Sequence, residues 1–174
     1  MTGNEHKSLN DGFTIIELAA SVAVFLVLVI LAGGIMIQVL NTQRKAFNLE
    51  EVQSNLDFIL EQMAREIRVA TLSTNIDTSC PGPSTLSFTH PQLGNVAYTF
   101  KNNGFYKTVG VTETQLTSSS IKVNNAFFCI NGTVTNDKKQ PKVTFVIDIQ
   151  KGNQLSSRVS LVLQTSLTPR ALEQ

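Results

Sequence analysis

At 174 residues the chain has room for one domain and an appendage, and little more. Its 14 Lys and Arg against 13 Asp and Glu leave a formal net charge of +1. Such a balance creates no broad field for nucleic acid or acidic partners, and no direct nucleic-acid partner is expected.

Residues 1–12, MTGNEHKSLNDG, are polar and show no apolar periodicity. From Leu18 to Ile37 run 20 residues without charge, Asn, Gln or His. At the helical rise these reach about 30 Å, the hydrocarbon thickness of a bilayer. A secretory signal peptide would have a shorter apolar region, about 7–15 residues, followed by a small-residue cleavage site. This run is longer and passes directly into a helical pattern, so residues 13–40 are expected to span a membrane. One carboxylate, Glu17, stands just ahead of the run. Protonation, snorkelling to the headgroups or pairing with a cation would each relieve the cost of a charge there.

Beyond the span, Leu49, Val52, Leu56, Ile59, Met63, Ile67 and Ala70 recur every three or four residues and form one apolar helix face. Glu51, Asn55, Gln62, Arg65 and Glu66 occupy much of the other side, and Glu61 stands one turn before Arg65. No proline precedes Pro81, so one helix is expected from about Thr14 to about Ala70. Its first half, to residue 40, faces lipid or other helices; its amphipathic half, 41–72, covers the protein's own domain. Gly33 and Gly34 mark a place for a bend, local melting or close helix contact, although glycine is also simply common in membrane helices.

From residue 73 the period changes to that of strands. CPGPS is a turn and TLSFTH a short strand; NVAYTFKNNGFYKT is a hairpin about an Asn-Asn-Gly turn. SIKVNNAFFCI is a further strand, and NGTVTNDKKQP a loop. KVTFVIDIQ alternates, with Val143, Phe145, Ile147 and Ile149 on one face, and SSRVSLVLQTSL repeats the alternation with Val159, Leu161, Leu163 and Leu167. Hairpins with one apolar face need a cover, and residues 49–70 offer it. The expected fold is therefore α+β: a long N-terminal helix packed against a C-terminal antiparallel β-sheet head, residues 73–174. Phe88, Phe100, Phe105, Phe127, Phe128 and Phe145 are its expected core. Cys80 and Cys129, 49 positions apart, match no metal or CxxC pattern. They form one disulfide if the head lies outside the cytoplasm, or remain two buried thiols.

His6 and His90 are the only histidines and belong to no HExxH motif. There is no GxSxG and no phosphate-cradling GxxxxGK; Asp77, Asp137 and Asp148 are scattered among turns and strand ends, and Lys138, Lys139 and Lys142 form a small basic loop. No catalytic activity, cofactor or metal is expected.

The stretch GFTIIELAASVAVFLVLVI, residues 12–30, closely resembles the N-terminal signature of type IV pilins and type II secretion pseudopilins. The resemblance implies that a prepilin peptidase cuts after Gly12, removing a leader of residues 1–12, and methylates the new amino terminus of Phe13. It also implies that Glu17 engages that amine on an adjacent subunit. Inside an apolar bundle such a pair serves register better than net stability, because a slipped helix strands both charges. LDFILEQMAREIRVAT, PKVTFVIDI and LQTSLTPR resemble the larger minor subunits, pseudopilin J and the W-type minor pilins. The implied function is a minor subunit that initiates or caps a filament. It would be held in a bacterial inner membrane with its head outside and assembled with other pilins and an inner-membrane platform. Three features depart from the family pattern: Glu5 and Asp11 within the leader, Arg44 and Lys45 after the span, and a double glycine in place of a helix-breaking proline. The alternative is a single-span anchored binding module that does not polymerise.

Overall fold

With no proline before residue 81, and no glycine between Thr14 and Ala70 other than Gly33 and Gly34, a helix once begun has little to stop it. In the computed structural model α1 runs Ile15–Val69, 55 residues, unbroken through Gly33 and Gly34. The structure describes residues 12–73, 76–134, 139–152 and 157–170. Leader residues 1–11, with Glu5, His6, Lys7 and Asp11, and the loop residues Asp137 and Lys138 lie outside the described residues. Packing divides the chain into two units, one ending at Thr42 and one starting at Gln43.

In the second unit, seven strands follow α1: β1 (Thr85–His90), β2 (Gly94–Lys101), β3 (Gly104–Val109), β4 (Thr112–Gln115), β5 (Lys122–Asn131), β6 (Lys142–Lys151) and β7 (Val159–Leu167). They are all antiparallel but fall into two sheets, β1-β2-β3-β4 and β5-β6-β7. The β2–β3 loop is Asn102–Asn103, both at positive φ (49° and 57°), as a two-residue hairpin of the primed type requires. β4, sequence TETQ and exposed throughout, carries no apolar alternation and goes unmarked in the sequence pattern.

The face of α1 made by Val52, Leu56, Ile59, Met63 and Ile67 is fully buried, and Leu49 half-buried. It shares one core with residues of both sheets. An aromatic chain joins the sheets: Phe88 to Tyr98 and Tyr98 to Phe105 are both 6.0 Å between ring centres. Phe105 then meets Phe145 at 5.2 Å and Phe128 at 6.3 Å. Phe100 and Phe127, also expected in the core, are only half-buried.

Polar residues beside the apolar face fasten the helix rather than facing water. Glu66 accepts from the Tyr98 hydroxyl at 2.8 Å and pairs with Lys107. Burial and the Glu66 carboxylate together push the Tyr98 hydroxyl pKa up. Glu51 pairs with Lys151 and accepts from Ser120, and these bonds hold its carboxyl below the usual range. Asn55 accepts from the Ser118 N–H at 3.0 Å. Each lies one helical step from a buried position, so burial makes it a tie.

The segment 76–83 lies along β5. The Thr78 N–H donates to the Ile130 carbonyl and the Phe128 N–H to the Pro83 carbonyl, and Cys80 is joined to Cys129 in a disulfide. Gly82 is needed there, since a Cβ would lie 1.9 Å from the Phe128 carbonyl oxygen. Asp77 accepts from the Thr133 hydroxyl (2.6 Å), the Thr133 N–H (2.7 Å) and the Gly132 N–H (3.1 Å). The Thr133 hydroxyl bond, then its N–H, lowers the Asp77 pKa.

Phe105→Ala should lower stability by about 3–5 kcal/mol, read as a drop in the urea midpoint of the detergent-solubilised chain, and Phe127→Ala by less than half as much. A lowered folded pKa means that Asp77 stabilises fully above its unfolded value near 3.8 and progressively less as pH falls below it. The midpoint of wild type should therefore fall between pH 5 and pH 3, and Asp77→Asn should flatten that fall.

Candidate functional site: the exposed helix and its first turn

α1 starts where Thr14 supplies a cap. The Glu17 N–H donates to the Thr14 hydroxyl at 3.3 Å, and the Leu18 N–H to the Thr14 carbonyl at 3.1 Å. Thr14-Ile15-Ile16-Glu17 thus follows the T-x-x-E capping pattern, with Glu17 in the first turn where the helix dipole favours an anion. The cap is made to the Glu17 backbone N–H, so it fixes the first turn and leaves the role of the carboxylate open.

Gly12 and Phe13 immediately precede the helix, and Phe13 is 81% exposed. Every residue from 12 to 40 is exposed. The apolar run has the length and composition to cross a membrane, and none of it is buried within the protein. A soluble core helix of this composition would be covered by its own chain; this one is bare. The Ser21 hydroxyl is satisfied internally, donating to the Glu17 carbonyl at 2.8 Å. The Glu17 carboxylate has no ionic or hydrogen-bond partner among the described residues. Ala20 and Ser21 are small side chains on this exposed surface, beside Val24, Phe25 and Leu28.

The remaining chemistry-bearing residues are engaged structurally. The His90 Nδ1 accepts from the N–H groups of Gln92 and Leu93, both at 3.1 Å, closing the β1–β2 turn. Asp148 accepts from Asn124 and Ser160 across neighbouring strands. Among the described residues no three His, Cys, Asp or Glu side chains come together as a metal site. A cavity of about 310 Å³ on the four-stranded sheet is lined by Ser73, Ser87, Thr89, Asn95 and Thr108, with no titratable side chain.

The fold and this helix define a class: an α+β protein with one N-terminal helix long and apolar enough to span a bilayer, its amphipathic half packed on an antiparallel β domain. Comparison with protein-family models, curated proteins and solved structures returns no match. Pilin-like describes the architecture and carries no family assignment.

Thr14→Ala should cost about 1 kcal/mol of local helix stability and speed amide exchange over Ile15–Leu18, without changing exchange of the β unit.

Proposed function

We propose that this chain is a single-span membrane protein of structural, non-catalytic role, which holds its β domain outside the cytoplasm. The observation that carries the reading is the bare apolar surface of residues 13–40, which water cannot accommodate and lipid can. The Cys80–Cys129 bridge supports an oxidising compartment for the domain.

A finer reading makes the span an assembly element: a minor pilin or pseudopilin that initiates or caps a filament in a bacterial inner membrane. It is supported by the order Gly12, Phe13, Thr14, Glu17 ahead of the apolar run. The exposed Phe47 and Phe58 (69% and 55%) add to it, being apolar helix surface beyond the uncharged run among charged neighbours. In this reading a prepilin peptidase cuts between Gly12 and Phe13 and methylates the new terminus. The Phe13 amine of one subunit then meets the Glu17 carboxylate of the next. Two charges taken out of water attract strongly but cost much to desolvate, so the pair acts on register and partner choice. Other pilins or pseudopilins and an assembly platform are the partners.

Membrane retention through an alkaline wash tests the anchor, and the intact mass of the extracted chain tests processing. Loss of residues 1–12 with one added methyl supports the filament reading; a full-length chain leaves the plain anchor. Glu17→Gln keeps the side-chain size and the Thr14 cap on the backbone N–H, and removes the charge. The filament reading expects it to insert and fold normally yet enter assemblies at least about tenfold less, a loss near 1.4 kcal/mol. Incorporation equal to wild type would leave the plain anchor ahead.

A further inference from the structure

β7 is the one long strand whose outer edge the molecule leaves open among the described residues. The outer edge of β5 is taken up: the Val123 N–H donates to the Asn103 carbonyl at 2.9 Å, the Phe128 N–H to the Pro83 carbonyl at 2.9 Å, and the Ile130 carbonyl accepts from the Thr78 N–H at 2.8 Å. In the other sheet β1 exchanges two backbone bonds with Thr71 through Thr89, and β4 is only four residues long, with Glu113 paired to Lys101. β7 has nine residues, all in register with β6 and without a bulge. Its sequence, VSLVLQTSL, contains no charge, proline or glycine.

Natural edges are blunted by short length, charge, proline or bulges, because an open row of N–H and C=O groups templates further pairing. β7 has none of these protections. Its core-side residues Leu161, Leu163 and Leu167 pack on the core but stay half-exposed, so the apolar layer is unfinished along this edge. Val162, on the opposite face, is 67% exposed. Exposed Arg158 and Arg170 bracket the strand, and neither forms an ion pair among the described residues.

We propose that β7 is a strand-addition site for an extended segment of a different polypeptide, uncharged in its middle, apolar at alternate positions on the α1 side, and acidic at both ends. Main-chain bonds would supply affinity, and the half-open leucine lane and flanking arginines the selectivity. A second copy does not fit. Two copies share one edge as a closed hydrogen-bonded pair only in antiparallel fashion, about a two-fold axis normal to the sheet. In the centred register such a pair would bring the exposed Arg158 of each copy toward Arg170 of the other, like charges at both ends of the shared edge.

The test uses the full chain in lipid nanodiscs, with hydrogen exchange of β7 as readout and the peptide DDTVTVTLTDD as probe. Bound probe should slow exchange of alternate amides between Val159 and Leu167 by about tenfold. The lysine-flanked peptide KKTVTVTLTKK and the proline-broken DDTVTPTLTDD should leave those amides near their free rates. Val162→Lys, on an already exposed side chain, should abolish the slowing while circular dichroism stays unchanged. No slowing at saturating probe, or equal slowing by the broken peptide, overturns the proposal. So does protection of β7 that rises with protein concentration in the absence of peptide, which would be a self-pair. The alkaline wash of native membranes judges the anchor separately, so release of the chain there would count against the anchor and not against a strand-addition result.

Discussion

Burial of one face of α1, from Val52 to Ile67, is the contact on which the β domain depends. Neither sheet is closed, and neither covers its own apolar side; both lean on the same helix face and on each other through Phe105, Phe128 and Phe145. Remove that floor and two open sheets would expose apolar faces to water, a state that small antiparallel sheets do not sustain. The same helix therefore serves two surroundings, its own domain over one stretch and, by composition, lipid over another.

Charged ties refine what the apolar face begins. Glu66 with Tyr98 and Lys107, and Glu51 with Lys151 and Ser120, flank the buried face and fasten it to different strands and loops. Hydrophobic contact alone is tolerant of sliding, whereas an ion pair shielded from water loses most of its worth with a small displacement. The ties thus favour one seating of the helix, much as the proposed pairing of Glu17 would favour one register between helices.

The exposed helix and the open β7 edge are surfaces of different kinds. The first is apolar and has no directional requirement, so lipid or another helix satisfies it. The second is a line of backbone groups with fixed spacing, which only an extended chain, or water, can satisfy. Under the proposed structural role the first would hold the chain in place and the second would engage a neighbour.

The sequence by itself determined the helix, which structure bounds at Ile15–Val69 against the expected Thr14–Ala70, together with its buried face and the strands with clear alternation. Period and propensity are local, and a 3.6-residue pattern or an Asn-Asn turn needs no distant partner to be read. The position of Glu17 ahead of the uncharged run was equally visible. Tertiary structure alone decided what depends on distant neighbours. The strands divide into two sheets, and β4 forms although TETQ carries no pattern, because β3 offers it hydrogen bonds. Glu51, Asn55 and Glu66 read as lying off the apolar face and became ties, since only the folded sheets bring Lys151, Ser118 and Tyr98 to them. Cys80 and Cys129 were free to stay apart in sequence; the lie of residues 76–83 along β5 brings their Cα atoms to 5.4 Å and joins them.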